Sequence, residues 1–236
     1  MKRAILVALI LSVHLPVAAV FRTPTPALAE ETKVLAASQN NTLIESPTGE
    51  FSNGRGPSIF IGRTGQPAGS IRRGLLAFEL AGVIPAGSKI TSVKLSMNLR
   101  FGAGGDNPAR VALRRVVAAW GEGSSSSGGG RGAPASEGDA TWIHTFYPKK
   151  LWAHPGGDYA SGESAAQVAG KPGLYEWSGP GMVADVRAWL ASPEKDFGWI
   201  LMGDESQGAT AKVFDSRHPD KEGHAPQLTV TFIPSR

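Results

Sequence analysis

The chain predicts an all-β fold, a sandwich of two antiparallel sheets with one short helix, and three observations carry that prediction. First, apolar residues alternate with period 2 across 72–99: Leu76, Phe78 and Leu80, then Val93, Leu95, Met97 and Leu99. Successive side chains of a strand point to opposite faces, so the pattern predicts strands with one dry and one wet side. Second, a loop with Pro85 and Gly87 separates the two runs, as between antiparallel strands joined locally. Third, 30 Gly and 17 Pro suit a protein of strands and turns better than a helical one.

The elements follow in order. Residues 42–45 and 58–61 are the first candidate strands, parted by the turn-rich segment 47–57. The alternating pair comes next. Residues 110–118 carry Val111 and Leu113, then slip phase at Arg114-Arg115 to Val116-Val117, which a bulge or an edge strand explains. Residues 196–202 are almost wholly apolar, as in a strand covered on both faces. Residues 211–215 and 227–233 close the chain, the last with Leu228, Val230 and Phe232 in alternation. One segment has helical spacing: Met182, Val186, Trp189 and Leu190 fall at i, i+4, i+7 and i+8, after Pro180-Gly181 and before Pro193. Residues 121–138 are rich in Ser and Gly and predict a flexible loop.

The N-terminus has its own pattern. Lys2 and Arg3 precede a mostly apolar run over 4–20, and Ala27-Leu28-Ala29 is a small-x-small cleavage signature. Residues 1–29 therefore predict a secretory signal peptide, and the run is too short for the roughly 20 clean residues of a spanning helix. The expected product is secreted or periplasmic, without membrane insertion after cleavage. Residues 30–36 read as a short tail and 37–234 as one domain.

Charge and cysteine content narrow the function classes. The chain holds 24 Lys+Arg and 20 Asp+Glu; Lys2, Arg3 and Arg22 belong to the leader, leaving 21 against 20. A near-neutral product has no global electrostatic reason to bind nucleic acid or an anionic membrane. With no cysteine, thiol catalysis and thiolate metal sites are excluded, and core burial alone or a bound ion must hold the exported fold. About 200 residues suffice, since a domain of that size buries roughly 70% of its unfolded surface.

Several segments together resemble a known family. The run Gly74-Leu75-Leu76-Ala77-Phe78-Glu79-Leu80, followed by Ile84-Pro85-Ala86-Gly87-Ser88-Lys89-Ile90-Thr91-Ser92-Val93-Lys94-Leu95, is similar to the DNRLRE, or disaggregatase-related, domain. Trp120-Gly121-Glu122, Thr141-Trp142, Asp185-Val186 with Trp189, residues 198–201, Phe214-Asp215-Ser216-Arg217 and Pro226-Gln227-Leu228-Thr229-Val230 continue the likeness. The namesake letters are not spelled out, and the Ser/Gly insertion splits the Trp-x-Glu and Thr-Trp positions. The resemblance implies a β jelly roll of secreted, carbohydrate-binding type, with acidic polysaccharides such as alginate among its ligands.

Candidate site residues come from chemistry. Sugar-binding β modules use aromatic rings for pyranose faces and polar groups for hydroxyls and carboxylates. Six aromatics, Trp142, Tyr147, Trp152, Tyr159, Tyr175 and Trp177, lie in the loop-rich stretch 139–179. Trp120, Trp189 and Trp199 read as core, and Trp142 and Trp177 suit plugs at the sandwich ends. Trp152, beside Lys149, Lys150 and His154, is the first candidate for an exposed ring. The predicted ligand surface comprises Trp152, Tyr147, Lys149, Lys150, Tyr159, Arg114 and Arg115, the cations pairing with a polyuronate. Asp204, Glu205 and Asp215 are candidate oxygen ligands for a structural Ca²⁺. The histidines lack zinc spacing, no G-x-S-x-G elbow is present, and no catalytic residue is assigned. Three functions stay open: a non-catalytic polysaccharide-binding module, a structural or adhesive surface module contacting other cell-surface or secreted proteins, and a polysaccharide lyase or hydrolase.

Overall fold

The computed structural model describes residues 28–221 and 224–235, so most of the predicted signal peptide lies outside the described residues. The order is β1 (Glu31–Ile44), β2 (Phe51–Ser52), β3 (Ser58–Arg63), β4 (Ile71–Phe78), β5 (Lys89–Gly102), β6 (Ala109–Arg115), β7 (Ala133–Pro134), β8 (His144–Phe146), β9 (Lys150–Leu151), β10 (Ala165–Ala169), β11 (Gly173–Ser178), α1 (Pro180–Ala191), a 3-10 turn (Pro193–Lys195), β12 (Trp199–Met202), β13 (Lys212–Asp215) and β14 (Gln227–Ile233). The fold is all-β with one helix, and the strand pairs are antiparallel. No helix among the described residues is long and apolar enough to cross a membrane.

Two walls share two strands. The first half of β1 pairs with β14, which pairs with β5, flanked in turn by β11 and β13. The second half of β1 pairs with β4, followed by β12, β6 and β10. β1 changes partner at a bulge between Ala37 and Gln39. β3 changes partner one residue after Ile61: residues through Ile61 pair with β13, and Gly62 onward pairs with β4. Gly62 makes that corner at φ +107°, a conformation L side chains rarely adopt, and a Cβ there would come within 3.1 Å of the Thr210 carbonyl. The result is a closed ring of six strands, β1-β14-β5-β13-β3-β4, which leaves those strands no open edge.

Several expectations are corrected. Residues 31–36 are no tail: they form the first half of β1, with Glu31 to Ala36 in register against Phe232 to Gln227. β4 and β5 do not pair with each other; they sit in opposite walls, and the loop between them buries Leu80 and Ile84. Alternation fixes which face of a strand is dry, not which strand lies beside it. Nor does β4 have a wet side, because Leu75, Leu76, Ala77 and Phe78 are all buried. β5 does show the predicted alternation, with Val93, Leu95, Met97 and Leu99 buried and Ser92 exposed. The phase slip after Arg115 is the end of β6 rather than a bulge, and β6 is no edge, being flanked by β12 and β10.

The core has two parts. One lies between the walls and includes Ile59, Leu76, Leu95, Trp177, Trp199, Phe214 and Phe232, with Met182, Val186 and Trp189 of α1 packed into it. The other lies on the far side of the β4–β12 wall: Leu43, Leu75, Val116, Trp120, Trp152 and Ile200. Because Trp199, Ile200 and Leu201 are all buried, β12 is covered on both faces as expected. The segment 116–160 therefore acts as a lid over a third layer. That changes the reading of the Ser/Gly stretch, which is tied down. Asp139 accepts N–H bonds from Ser124 (2.7 Å) and Ser136 (2.7 Å), Glu122 accepts from Asn40 N (3.0 Å) and Arg217 Nη1 (2.8 Å), and β7 pairs with β2.

Burial shifts three ionisable groups. Burial lowers the Arg72 guanidinium to about 10, although it donates to the carbonyls of Gly130, Gly69 and Ile71. Burial also lowers Lys212, whose ammonium donates to the Asn107 carbonyl. Asp196, at the end of the 3-10 turn, is raised to about 7, first by burial and then by the nearby Glu79 charge, against a lowering bond from Gly198. In the pH range between the ordinary carboxylate value and about 7, the unfolded chain loses a proton that the folded chain keeps, so this group's contribution to stability falls as pH rises. Asp196→Asn is expected to flatten that decline: its gain in melting temperature over the parent grows from pH 4 to pH 7, as measured by thermal circular dichroism across pH.

Candidate functional site

An open depression of about 730 Å³ lies on the outside of the β4–β12–β6 wall, where the lid segment meets it. It is lined by the apolar Val117, Ala118, Ala153 and Pro155 and by the polar Arg73, Arg114, His154, Asp158, Tyr159 and Ser161. The volume is in the range of small-ligand clefts, about 300–1,000 Å³.

The lining is built by turns and by guanidinia set over aromatic rings. Asp158 is largely buried and accepts from Ala153 N (2.7 Å) and His154 N (3.0 Å), which closes the 153–158 turn. His154 is left outside: its side chain is 85% exposed, with Nδ1 3.1 Å from Asp158 Oδ1. Val116 bridges to Tyr159, and Val117 N donates to Asp158 O (3.0 Å), joining this turn to the end of β6. Arg73 rises from β4 into the assembly. It holds Glu205 with Nε and Nη2, both at 2.8 Å, donates from Nη1 to Gly156 O, and lies 5.0 Å from the Trp142 ring centre and 5.7 Å from that of Tyr159. Burial would lower this guanidinium, but the bond and charge of Glu205 outweigh it and the group lies above its ordinary value. Arg114 approaches the Tyr159 ring at 5.9 Å and donates to Glu163 and to the Ser161 carbonyl. Such contacts are worth about 0.5–2 kcal/mol each.

The structure unites some of the predicted ligand residues and scatters the rest. Arg114 and Tyr159 line the depression, and the neighbouring His154 joins them. Arg115 does not, because one step along a strand reverses the side chain: Arg115 Nε reaches Asp185 of α1 at 3.1 Å, on the opposite face. Lys149 pairs with Glu137 at 2.7 Å, two highly exposed partners whose attraction solvent screens, and Lys150 lies over the Phe146 ring at 5.2 Å. Tyr147 packs edge-on against His144. Trp152, the first candidate for an exposed ring, is a core residue: it is 5% exposed, and Nε1 donates to the Thr141 carbonyl at 2.9 Å. Its sequence neighbours are exposed, but the lid must bury one large ring to seal the second core. Trp120, Trp189 and Trp199 are buried as predicted, and Trp177, one of the six loop aromatics, is wholly buried too.

The proposed Ca²⁺ ligands occupy separate settings. Asp204 accepts from Ser206 N (2.9 Å) and Oγ (2.6 Å), Glu205 gives both oxygens to Arg73, and Asp215 takes bonds from Asn98 Nδ2 (2.6 Å) and a contact from His224 Nδ1 (3.2 Å). No group of three His, Cys, Asp or Glu placed to hold a metal occurs among the described residues. Sequence reasoning missed Arg73. The signal was an arginine pair, Arg72-Arg73, inside an otherwise apolar strand, where a charge needs a partner on each face.

No protein-family model matches the chain, and no curated protein matches it either. The site's own geometry therefore carries the functional reading.

Truncating a buried Trp costs about 3–5 kcal/mol. Trp152→Ala is therefore expected to lower the denaturation midpoint strongly, which a urea titration would detect, whereas His154→Ala leaves the midpoint unchanged.

Proposed function

We propose that this chain is an exported, non-catalytic module that binds extracellular polysaccharide in the depression lined by Arg114, Tyr159 and His154. One observation carries the reading: an open depression whose lining sets apolar side chains beside hydrogen-bonding groups. A pyranose ring is likewise apolar on its C–H face and polar around its edge, so the two surfaces are complementary. The resemblance to the DNRLRE domain supports the same reading. So does the pattern of walls, read as a two-sheet jelly roll whose corners β1 and β3 cross.

Charge decides the class of glycan. Arg73 is neutralised by Glu205, and Glu163 serves both Arg110 and Arg114. Glu205, Glu163 and Asp158 thus stand beside Arg73, Arg110 and Arg114, three carboxyl groups to three guanidinia. Hydroxyl recognition is thus the main attraction, and a polyuronate such as alginate gains no strong net field here. Arg114 lines the depression and shares its carboxylate partner Glu163 with Arg110, and it is the contact a uronate carboxylate would use.

The adhesive reading has an observation of its own. Val168 of β10 and Leu174 of β11 are 56% and 67% exposed on neighbouring outer strands. Surface apolar side chains in such a position suit contact with another protein.

Affinity electrophoresis through gels of alginate, polygalacturonate and neutral glycans separates these readings. Retardation is expected in at least one gel, and Arg114→Gln or His154→Ala is expected to weaken it roughly tenfold, the loss of about one charge-assisted hydrogen bond. Lys149→Ala, which removes a cation outside the depression, is expected to have no effect. Retardation in no gel, with Leu174→Asp abolishing self- or partner association, would favour the adhesive module. Unsaturated products absorbing in the ultraviolet would favour a lyase.

A further inference from the structure

We propose that the open cavity at the end of β5, beside Phe101, is a second binding site, for one residue of a neutral sugar. It has a volume of about 510 Å³, and Asn98, Arg100, Phe101, Pro172, Asp215 and His224 are among its lining residues. It lies on the outside of the β5–β13 wall and shares no lining residue with the Arg114 depression, so the proposal stands whether or not that depression binds glycan.

The reasoning starts from a bulge. Along β5 the buried side chains Val93, Leu95, Met97 and Leu99 fall on every second residue, and continued alternation would turn Phe101 into the core as well. The ladder to β13 prevents this. Phe214 pairs with Leu99 and Val213 with Phe101, which leaves Arg100 as an extra residue without a partner on β13. Cross-strand partners share a face, and Val213 lies one step from the core residue Phe214, so Phe101 is carried to the outer face. Its ring is 53% exposed there, an apolar surface that the core does not use.

The polar groups of the same cavity are held in place. The Asp215 side chain is only 4% exposed and serves as their pivot. Its Oδ2 accepts from Asn98 Nδ2 at 2.6 Å and lies 3.2 Å from His224 Nδ1, and its Oδ1 lies 3.7 Å from Arg100 Nε. Ser58 Oγ (2.9 Å) and Asp220 Oδ2 (3.0 Å) hold Arg100 Nη1. The side chains arranged by this pivot are themselves open to solvent, Arg100 at 31% and His224 at 41%. An exposed ring in one lining with prearranged donors and acceptors matches a pyranose, whose C–H face is apolar and whose hydroxyls both donate and accept. Charge selects a neutral one. Among the described lining residues Arg100 and Lys221 stand against Asp215 and Asp220, so an anionic sugar finds no net attraction and would meet two carboxylates.

Side-chain N–H resonances of the ¹⁵N-labelled protein, Asn98 Nδ2 and Arg100 Nε, test the site directly. Cellotriose, mannotriose and galactotriose serve as probes, with trigalacturonate as the anionic control. Both signals are expected to shift and saturate with at least one neutral probe and not with trigalacturonate. Phe101→Ala is expected to leave the far-ultraviolet circular dichroism unchanged and to raise the midpoint roughly tenfold. Phe101→Tyr, which keeps a ring, and Arg114→Gln, which lies in the other site, are expected to leave the midpoint unchanged. Signals that no neutral probe moves, trigalacturonate binding as tightly as the neutral probes, or an unchanged midpoint in Phe101→Ala would overturn the proposal. So would shifts that follow protein concentration without any probe and vanish in Phe101→Ala, which would make the ring a contact between two copies of the chain.

Discussion

The wall of β4 and β12 has no wet face, and the rest of the molecule is arranged around that constraint. Leu76 and Trp199 fill the space between the walls, while Leu75 and Ile200 point the opposite way and need a cover of their own. A sheet can leave one side to water when its residues alternate apolar and polar; this one does not. The stretch 116–160 has to lie on it as a lid, and that lid carries Trp120 and Trp152 into a second core. The candidate depression sits where the lid meets the wall, so its position follows from the same need for cover.

A lid made largely of Gly and Ser has little apolar surface to hold it, and buried polar side chains do the holding. Asn41 reads the lid from β1: its Nδ2 donates to the carbonyls of Glu122 and Ala140, and its Oδ1 accepts from Ser52 and Asn53. Asp139 and Glu122 work from the other side, each taking main-chain N–H groups. Gly123, at φ +65°, passes so close to Asp139 that a Cβ would collide with its carboxylate. A polar network in a dry interior has every group at stake, since an unmatched one costs about 1–3 kcal/mol. The loop thereby gains one conformation in spite of its composition.

The same economy of large rings explains why most of the aromatics are not ligand platforms. In a fold without disulfides, burying a Trp is the largest single stabilising step open to a loop. Trp120, Trp152, Trp177 and Trp199 are used in that way, each with its N–H satisfied by an oxygen. The ring that remains for recognition in the lid, Tyr159, is held beside two guanidinia that are themselves paired. Rigidity of this kind spares a ligand the cost of ordering its site.

What the sequence settled by itself is what depends on local residue pattern: the class of the fold, strands over 58–61, 93–99 and 227–233, a helix over 182–190, and the identity of Trp120, Trp189 and Trp199 as core. Those follow from side-chain direction, which repeats every two or 3.6 residues and is written in neighbouring letters. Tertiary structure alone decided which strand lies beside which, that 31–36 joins the sheet, that the Ser/Gly stretch is pinned, and that Arg114 faces the depression while Arg115 faces α1. Each of these depends on partners far along the chain, such as Asp139 for Ser124, Phe232 for Glu31 and Glu205 for Arg73. The pairing free energy of those partners exists only once the walls have closed, so no window of sequence contains it.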